Sequence, residues 1–372
     1  MEYSENDKKR VLHIFGILNR GGAETRTLEF MRRNKDAPVI FDFIVLTGAR
    51  GVLDDDFRQV IKGDINYIRL NRSFFFKYIK LLRKNKYDAV HSHVLMVSAV
   101  FLMIAWFTGV PVRIAHLRST GKSAKSKLRK LRDLFLKSMM LRFATNIVTV
   151  SESVAKAIFS ENYNKQRKIK VIYNGFALIE NKSVKSNRKV KIGHIGRFDP
   201  SKNHMFLSEI YSMICEEDPD VTCSMTGKLD NNIYPVVANS LKRWSDTGRV
   251  IIQSENSNIP GELNTYDILV TTSLWEGLPG AIIEALSAGV PVLASGIEPN
   301  KEVASKMNGV TIVEGWDKNE WKKQVLTLIK EVRNADKQDT VKRLQASFLV
   351  SPFYYKNTDN EMLKIYGIKG VS

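Results

Sequence analysis

Apolar residues occur along this chain in short runs that alternate with longer stretches of helical periodicity. The first run, residues 9–15, leads into a loop with Gly21 and Gly22 and then into a helical pattern over residues 25–33. The same order recurs in the second half, where the run at residues 189–195 precedes a glycine-bearing loop and another helical pattern. A buried strand, a glycine-bearing loop and a helix form the first unit of a doubly wound α/β domain. The pattern therefore predicts two such domains.

Further short apolar runs lie between helical patterns in both halves. Runs of this length indicate parallel strands that helices cover on both faces. We therefore predict two Rossmann-like domains with a binding cleft between them. The predicted boundaries are residues 1–175 for the first domain, 176–188 for a linker, 189–351 for the second domain and 352–372 for a C-terminal helix. The additional strands are predicted at residues 41–46, 65–69, 89–92, 112–116, 147–150, 170–172, 221–226, 250–253, 268–271, 292–294 and 311–313.

One uncharged stretch, residues 94–112, raises the question of a membrane span. Gly109 and Pro111 interrupt it, and the helical part, residues 94–107, is shorter than the roughly 20 residues that a bilayer requires. We predict a helix buried inside the first domain. The polar N-terminus has no apolar segment of the kind found in secretory signals, so we expect a cytoplasmic location.

The net charge of +18 is distributed unevenly. Residues 1–185 hold 35 Lys and Arg against 16 Asp and Glu, whereas residues 186–372 hold 22 against 23. The excess in the first half indicates a polyanionic partner, either nucleic acid or an anionic membrane surface. The apolar content of 44% and the two cysteines exclude a disordered chain and a disulfide scaffold.

The segment 113–142 carries ten basic residues and one acid. This pattern predicts an amphipathic helix with a cationic face, which either lies on an anionic membrane or packs its apolar stripe on its own domain. Aromatic rings for stacking on bases are scarce in it, so we expect no nucleic-acid partner. The apolar stripe consists of Leu128, Leu131, Leu134, Phe135 and Met139.

Both glycine-bearing loops favour phosphate binding, although neither has a dinucleotide or Walker A motif. Gly21 and Gly22 allow close approach to a helix N-terminus, where free N–H groups attract phosphate. In the second loop, Arg197 and Lys202 are close enough in sequence to reach one diphosphate. Together, the two loops predict a substrate that carries a diphosphate.

Two carboxylates lie in the apolar segment 273–291. Glu276 precedes a Gly-Leu-Pro-Gly loop, and Glu284 follows in a helix that is predicted to begin near Gly280. Carboxylates in this arrangement can accept hydrogen bonds from several hydroxyl groups of one ligand.

On these residues, the chain resembles the family 4 retaining glycosyltransferases, which have the GT-B fold. The E-x7-E spacing of Glu276 and Glu284 matches the family signature, as do Arg197 and Lys202-Asn203. The resemblance covers essentially the whole chain and is greatest for bacterial enzymes that build exopolysaccharide, capsule or O-antigen. It implies two Rossmann-like doubly wound parallel-sheet domains, an interdomain cleft and a C-terminal helix that crosses back to the first domain. Other matching positions are 21–24, His116, Val150-Ser151 and 172–175.

The resemblance also implies a role for each candidate site residue. Arg197 and Lys202 would hold the donor diphosphate, with the backbone of Gly21 and Gly22 nearby. Glu284 would bind the ribose hydroxyls of the donor. The remaining residues would contact the donor sugar or its phosphate at the reaction centre, namely His116, Glu276, Gly277, Leu278, Pro279 and Gly280, with Arg118 and Asn174 as secondary candidates.

Negative charge grows on the leaving diphosphate as the anomeric bond breaks, and fixed cations stabilise it. Because Arg197 and Lys202 supply such cations, we expect a reaction without a metal or another cofactor. The D-x-D pattern at residues 54–56 follows a Gly-Val-Leu turn far from the other motifs, and we expect no metal there. The resemblance further implies retention of anomeric configuration, with the leaving phosphate helping to deprotonate the acceptor.

Family members often carry Gly-Asp-Gly where this chain has Gly227-Lys228-Leu229, and a glycine where it has Ser254. These positions lie toward the nucleobase side of the family's pocket. Despite these departures from the family pattern, we expect the donor to be a UDP-sugar rather than a GDP-sugar.

The expected function is transfer of a sugar from this donor to a lipid-linked saccharide acceptor during synthesis of a bacterial surface polysaccharide. The first domain would be the acceptor side, held peripherally at the inner face of the cell membrane by residues 113–142. Two alternatives remain: a UDP-N-acetylglucosamine 2-epimerase, which shares the GT-B architecture, and a non-catalytic basic protein that binds membrane or nucleic acid.

Overall fold

The computed structural model describes residues 8–119, 126–180, 189–254 and 258–368. The chain divides into two compact units. The first unit comprises Met1–Gly175 and Tyr355–Ser372, and the second comprises Phe176–Tyr354. Most of the predicted linker, residues 181–188, lies outside the described residues.

A parallel sheet of seven strands forms the centre of the first unit. The strands are β1 (Lys9–Phe15), β2 (Val39–Val45), β3 (Ile65–Tyr67), β4 (Ala89–Ser92), β5 (Val112–Leu117), β6 (Asn146–Thr149) and β7 (Ile169–Val171). Their order across the sheet is β3-β2-β1-β4-β5-β6-β7, and neighbouring strands are parallel. In β1 the last five residues are all buried, because helices cover both faces of the sheet.

Helices connect these strands. They are α1 (Gly22–Arg33), α2 (Asp54–Arg58), α3 (Phe74–Asn85), α4 (Ser98–Phe107), α5 (Lys127–Phe143) and α6 (Glu152–Phe159). Two of them begin at a serine whose side chain accepts a hydrogen bond from the first turn: Ser126 before α5 and Ser151 before α6. Such capping satisfies backbone N–H groups that have no partner within the helix.

The second unit repeats the architecture with six parallel strands: β8 (Val190–Ile195), β9 (Val221–Thr226), β10 (Val250–Gln253), β11 (Ile268–Thr271), β12 (Val292–Ser295) and β13 (Val310–Val313). Their order is β10-β9-β8-β11-β12-β13. The helices of this unit are α7 (His204–Glu217), α8 (Ile233–Ser240), α9 (Lys242–Asp246), α10 (Ile259–Leu263), α11 (Gly280–Ser287), α12 (Glu298–Ala304), α13 (Lys318–Asn334) and α14 (Lys337–Val350).

The last helix, α15 (Tyr355–Ile365), belongs to the first unit. Arg33 of α1 forms a bidentate ion pair with Asp359 of α15, with nitrogen–oxygen distances of 2.7 and 3.0 Å. Tyr366, directly after α15, is buried in the core of this unit. The end of the chain thus crosses back to the first unit, as predicted.

Strand order reverses once in each sheet, between β1 and β4 and between β8 and β11. In open parallel sheets, ligands bind beyond the carboxyl ends of the strands at such a reversal, because the loops on either side diverge there. Among the predicted site residues, Gly21, Arg197, Lys202, Glu276 and residues 277–279 lie on loops of this kind, whereas Gly22, His116, Gly280 and Glu284 lie within α1, β5 and α11.

The uncharged stretch after β4 forms a short 3-10 helix, Leu95–Val97, followed by α4. Ala99, Phe101 and Leu102 are buried, whereas Trp106 and Phe107 are exposed, so the helix begins at Ser98 rather than at residue 94 and is buried only in part. Among the described residues, no helix is long and apolar enough to cross a membrane.

Gly193 in β8 provides a test of packing in the second unit. A Cβ at this position would overlap the ring of Tyr266. That ring is buried, and its hydroxyl lies 2.8 Å from Ser224 Oγ and 2.6 Å from Glu262 Oε1, so it has little room to move. We expect Gly193→Ala to lower the free energy of unfolding of the second unit by about 1–3 kcal/mol.

Urea unfolding followed by tryptophan fluorescence measures this effect, since four of the five tryptophans lie in the second unit. Gly16→Ala is the matched control, because no other atom lies within 4 Å of its Cβ position. Equal unfolding midpoints for the two variants would contradict the predicted overlap.

Candidate active site

The loop after β8 holds Lys202 in a defined position. Asp199 Oδ1 accepts a hydrogen bond from the backbone N–H of Ser201 at 2.8 Å and caps the 3-10 helix Pro200–Lys202. Asn203 then adopts a left-handed conformation with φ of 54°, which asparagine tolerates, and α7 follows directly. Lys202 therefore lies at a fixed turn beyond the carboxyl end of β8.

Lys202 forms an ion pair with Glu276, which lies on the loop after β11. The same carboxylate accepts a hydrogen bond from Ser273 Oγ at 2.8 Å. The backbone also joins the two loops, because the N–H of Leu274 donates to the carbonyl of Ser201 at 2.7 Å. The side chains of Lys202 and Glu276 are only 17% and 15% exposed. An incoming phosphate group would therefore meet an ammonium group that is already oriented.

Glu284 lies on the second turn of α11, which begins at Gly280 as predicted. Its side chain is partly exposed. No side chain caps the start of α11, where Pro279 occupies the N-cap position. Glu276 and residues 277–279 thus directly precede α11, and Glu284 lies on the second turn of this helix.

Arg197 differs from Lys202 in its surroundings. Its side chain is 67% exposed, and Nη2 lies 3.5 Å from Asp199 Oδ2. The structure therefore fixes only one of the two predicted diphosphate cations.

In the first unit, Gly21 and Gly22 stand at the start of α1. Gly21 is extended and its carbonyl accepts a hydrogen bond from the N–H of Thr25 at 2.9 Å. Gly22 is exposed, and no other atom lies within 4 Å of its Cβ position. A ligand could therefore approach this backbone closely.

Four histidines meet toward the carboxyl ends of β1, β4 and β5, although only His116 was predicted as a site residue. His13 Nδ1 lies 3.0 Å from His93 Nε2, and His91 Nε2 lies 3.0 Å from His116 Nδ1. The hydroxyl of Tyr366 lies 2.6 Å from His91 Nδ1. The sequence does carry a signal for this cluster, namely histidines near the ends of three strands that prove to be adjacent.

The two secondary candidates, Arg118 and Asn174, are in contact. Arg118 Nη1 donates to Asn174 Oδ1, and Nη2 donates to Thr27 Oγ1, each at 3.0 Å. Neither acceptor is charged, and Arg118 forms no ion pair with the carboxylates that the structure describes. Arg118 therefore places a positive charge beside the histidines, and the carboxylate of Glu24 acts on that charge without a direct ion pair.

Burial lowers the pKa of all six histidines in the chain. The pKa of His13 falls to about 3 and that of His204 to about 4, mainly because a charged ring would lose its hydration. The charge of Arg118 lowers the pKa of the four first-unit histidines further. All six rings are therefore neutral near pH 7. Burial also lowers the pKa of Arg118 to about 10, which leaves it protonated.

Three of these histidines, His13, His91 and His93, place ring nitrogens within 4.8 Å of one another, a spacing that metal ligands also show. The positive charge of Arg118 acts on all three rings and would repel a divalent cation. The charge of Arg118 beside these three histidines therefore favours an anion over a divalent cation.

The D-x-D pattern at residues 54–56 lies at the start of α2, and each aspartate has a partner within the first unit. The partners are the backbone N–H of Gly51 for Asp54, the side chain of Arg50 for Asp55 and the side chain of Arg32 for Asp56.

Both units match known glycosyltransferase families. Residues 20–178 match the family described as glycosyltransferase family 4, and residues 189–331 match the family described as glycosyl transferases group 1. The capsular polysaccharide biosynthesis glycosyltransferase CapH of Staphylococcus aureus is 33% identical over 79% of this chain and 83% of its own length. An Escherichia coli protein, UDP-Gal:alpha-D-GlcNAc-diphosphoundecaprenol alpha-1,3-galactosyltransferase, is 30% identical over 67% of this chain and 68% of its own length.

Solved structures show the same fold. HepE of Anabaena, determined in complex with UDP and glucose, superposes with a TM-score of 0.77 at 17% identity, over 96% of this chain and 99% of that one. This likeness confirms the predicted GT-B fold.

The buried histidines predict a loss of stability in acid. The unfolded chain takes up a proton on each histidine as the pH falls below about 6.5, whereas the folded chain does not, so stability is complete above that pH and decreases below it. At pH 5.5 each ring contributes a loss on the order of 1 kcal/mol. With four such rings in the first unit and two in the second, we expect the first unit to lose about twice as much stability as the second.

Hydrogen exchange read by mass spectrometry at pH 8 and pH 5.5 resolves the two units after correction for intrinsic exchange rates. His13→Gln should remove about a quarter of the acid-induced loss of stability in the first unit. It should leave the acid-induced loss in the second unit unchanged. An equal or greater loss in the second unit would contradict the assignment of neutral rings.

Proposed function

This chain belongs to glycosyltransferase family 4, and we propose on that basis that it transfers a sugar from a UDP-linked donor to a lipid-linked saccharide in bacterial surface polysaccharide synthesis. Two relatives support the proposal, since one is named for capsular polysaccharide biosynthesis and the other for transfer onto a diphosphoundecaprenol-linked saccharide. Their names also favour sugar transfer over the epimerase reaction.

The observation that carries the proposal is the Lys202–Glu276 pair at the strand reversal of the second unit. We assign the donor diphosphate to Lys202, with Arg197 turning from Asp199 to the second phosphate. Glu284 then binds the ribose, because a carboxylate can accept hydrogen bonds from two adjacent hydroxyl groups.

The proposed mechanism follows from this arrangement of charge. As the anomeric C–O bond breaks, Lys202 and Arg197 stabilise the charge that develops on the leaving diphosphate. A phosphate oxygen takes the proton of the acceptor hydroxyl, which attacks from the same face, so that the sugar retains its configuration. These two side-chain cations provide the stabilisation that a metal gives in other transferases, and we propose a metal-independent reaction.

UDP is our choice of donor nucleotide because the Escherichia coli relative is named for UDP-Gal. The lipid-linked acceptor is inferred from the same name.

We further propose that α5 rests on an anionic membrane surface. Its apolar residues Leu128, Leu131, Leu134 and Phe135 are between 62% and 81% exposed, and only Met140 of this helix is buried. This exposure favours membrane contact over packing on the unit itself. The neighbouring α4 adds the exposed side chains of Trp106 and Phe107. Basic residues beside exposed apolar residues are typical of helices that lie in the membrane interface.

Substitutions in the donor site test the proposed function. Glu284→Gln removes a ribose acceptor and Lys202→Ala removes a phosphate cation, so each should lower sugar transfer by about 100-fold. Transfer is measured with a panel of UDP- and GDP-sugars and membrane lipid extract. Lys242→Ala, on an exposed ion pair of the same unit, is the control. A rate within twofold of the unmodified protein, in a variant with an unchanged melting temperature, would refute the assignment.

Liposome sedimentation tests the membrane surface. The double variant Leu131→Ser/Phe135→Ser should lower binding to phosphatidylglycerol vesicles by at least about tenfold, since each substitution removes apolar area that enters the interface. Val350→Ser, 84% exposed on α14, is the control. Unchanged vesicle binding, or preferential binding of oligonucleotides with steep salt dependence, would contradict the proposal.

A further inference from the structure

A small cavity in the first unit brings Arg118 together with the histidine cluster. Its volume is about 40 Å³. Since one water molecule needs roughly 10–15 Å³, the cavity has room for several waters or for one compact chemical group, but not for a whole sugar. It lies beside Thr27 of α1 and Asn174, toward the carboxyl ends of β1, β4 and β5.

Four polar atoms on residues of the cavity wall are buried and have no hydrogen-bond partner among the described residues. They are His13 Nε2, His93 Nδ1, His116 Nε2 and Arg118 Nε. More than nine in ten buried polar groups in folded proteins do have a partner. Four exceptions around one cavity indicate that a ligand supplies the missing acceptors.

Hydrogen bonding determines which nitrogen of His116 carries a proton. The buried hydroxyl of Tyr366 has His91 Nδ1 as its partner at 2.6 Å and no other among the described residues, so it donates its proton there. Neutral His91 then carries its own proton on Nε2 and donates it to His116 Nδ1 at 3.0 Å. The proton of neutral His116 is left on Nε2, a buried nitrogen without a described partner on a residue of the cavity wall.

A similar argument applies to His13 and His93. The two neutral rings share two protons, and one of these lies in the 3.0 Å hydrogen bond between them. The other is on His13 Nε2 or His93 Nδ1, the two buried nitrogens without a partner. The residues of the cavity wall therefore carry a second imidazole N–H without a described acceptor, as well as the N–H of Arg118 Nε.

The charge of the cavity points to an anion. Arg33 is paired with Asp359, and Arg26 with Glu29, so these four charges largely cancel. Among the described residues, Arg118 has neutral hydrogen-bond acceptors, and the carboxylate of Glu24 acts on its charge without a direct ion pair. An oxyanion would compensate the charge of Arg118 and accept hydrogen bonds from the imidazoles at the same time.

We propose that this cavity binds a phosphate group, with Arg118 as its cation and His116 Nε2–H as a second donor. A phosphate group matches a site with several donors and a guanidinium, because its oxygens accept from different directions and carry the charge. In the proposed sugar transfer, on which this inference rests, such a group belongs either to the lipid diphosphate of the acceptor or to the diphosphate of the donor.

Isothermal titration calorimetry with two probes separates these sources. Farnesyl diphosphate stands for the lipid acceptor and UDP for the donor. We expect Arg118→Gln to weaken binding of one probe at least tenfold and Arg118→Lys to restore part of the affinity. Arg32→Gln, which removes an exposed cation of α1 outside the cavity, should change neither affinity more than twofold.

Loss of farnesyl diphosphate binding in Arg118→Gln would assign the cavity to the acceptor phosphate, and loss of UDP binding would assign it to the donor phosphate. If both probes bind the unmodified protein and Arg118→Gln changes neither affinity, the cavity assignment is wrong while the proposed function stands. If neither probe binds the unmodified protein, both are wrong.

NMR of the histidine ring nitrogens tests the series of hydrogen bonds from Tyr366 through His91 to His116 independently of catalysis. With six histidines in the chain, long-range ¹⁵N–¹H spectra can be assigned by single substitutions. His116 should carry its proton on Nε2, and Tyr366→Phe should shift part of the population to the Nδ1–H form. A proton on His116 Nδ1 in the unmodified protein would overturn its role as a donor.

Discussion

The reversal of strand order in each sheet determines where the chemistry of this chain lies. In the second unit, β8 and β11 are neighbours, so two loops that are far apart in sequence meet, and Lys202 pairs with Glu276 across 74 positions. In the first unit, β1 and β4 are neighbours, and His13 meets His93 across 80 positions. Parallel strands place both meetings at the carboxyl edge of a sheet. Phosphate chemistry is proposed at both edges.

The carboxyl edges of the two sheets differ in whether their cation is paired with a carboxylate. In the second unit, Lys202 is matched by Glu276, so the loop is neutral until an anion competes for the ammonium group. In the first unit, Arg118 has only neutral acceptors, and the surrounding imidazoles are neutral as well. The first edge therefore holds a buried cation that no carboxylate pairs with directly among the described residues, although the charge of Glu24 acts on it. The excess positive charge of the first half of the sequence thus comprises the buried cation Arg118 as well as the exposed cations of α5.

The sequence predicted the strands closely because each is a short apolar run between helical patterns. β1, β4, β9, β10 and β11 begin and end where expected, and each of the other strands differs by one or two residues at one end or both. The partnership of Lys202 with Glu276 could not be predicted, because it depends on which strands are neighbours. The histidine cluster was missed for the same reason, since only strand order shows that His13, His91 and His116 are adjacent. From the sequence, the apolar stripe on α5 could either face a membrane or pack on its own domain. Its exposure became visible only in the packing of the folded unit.

The most direct test of the proposed function is mass spectrometry of lipids after the full chain is incubated with nucleotide sugars and a membrane extract that contains lipid-linked saccharides. The account predicts a lipid-linked saccharide that is heavier by one sugar residue, formed with a UDP-sugar and in the presence of EDTA, together with release of UDP. Release of a free sugar epimer without acceptor, or no product with any UDP-sugar, would contradict it.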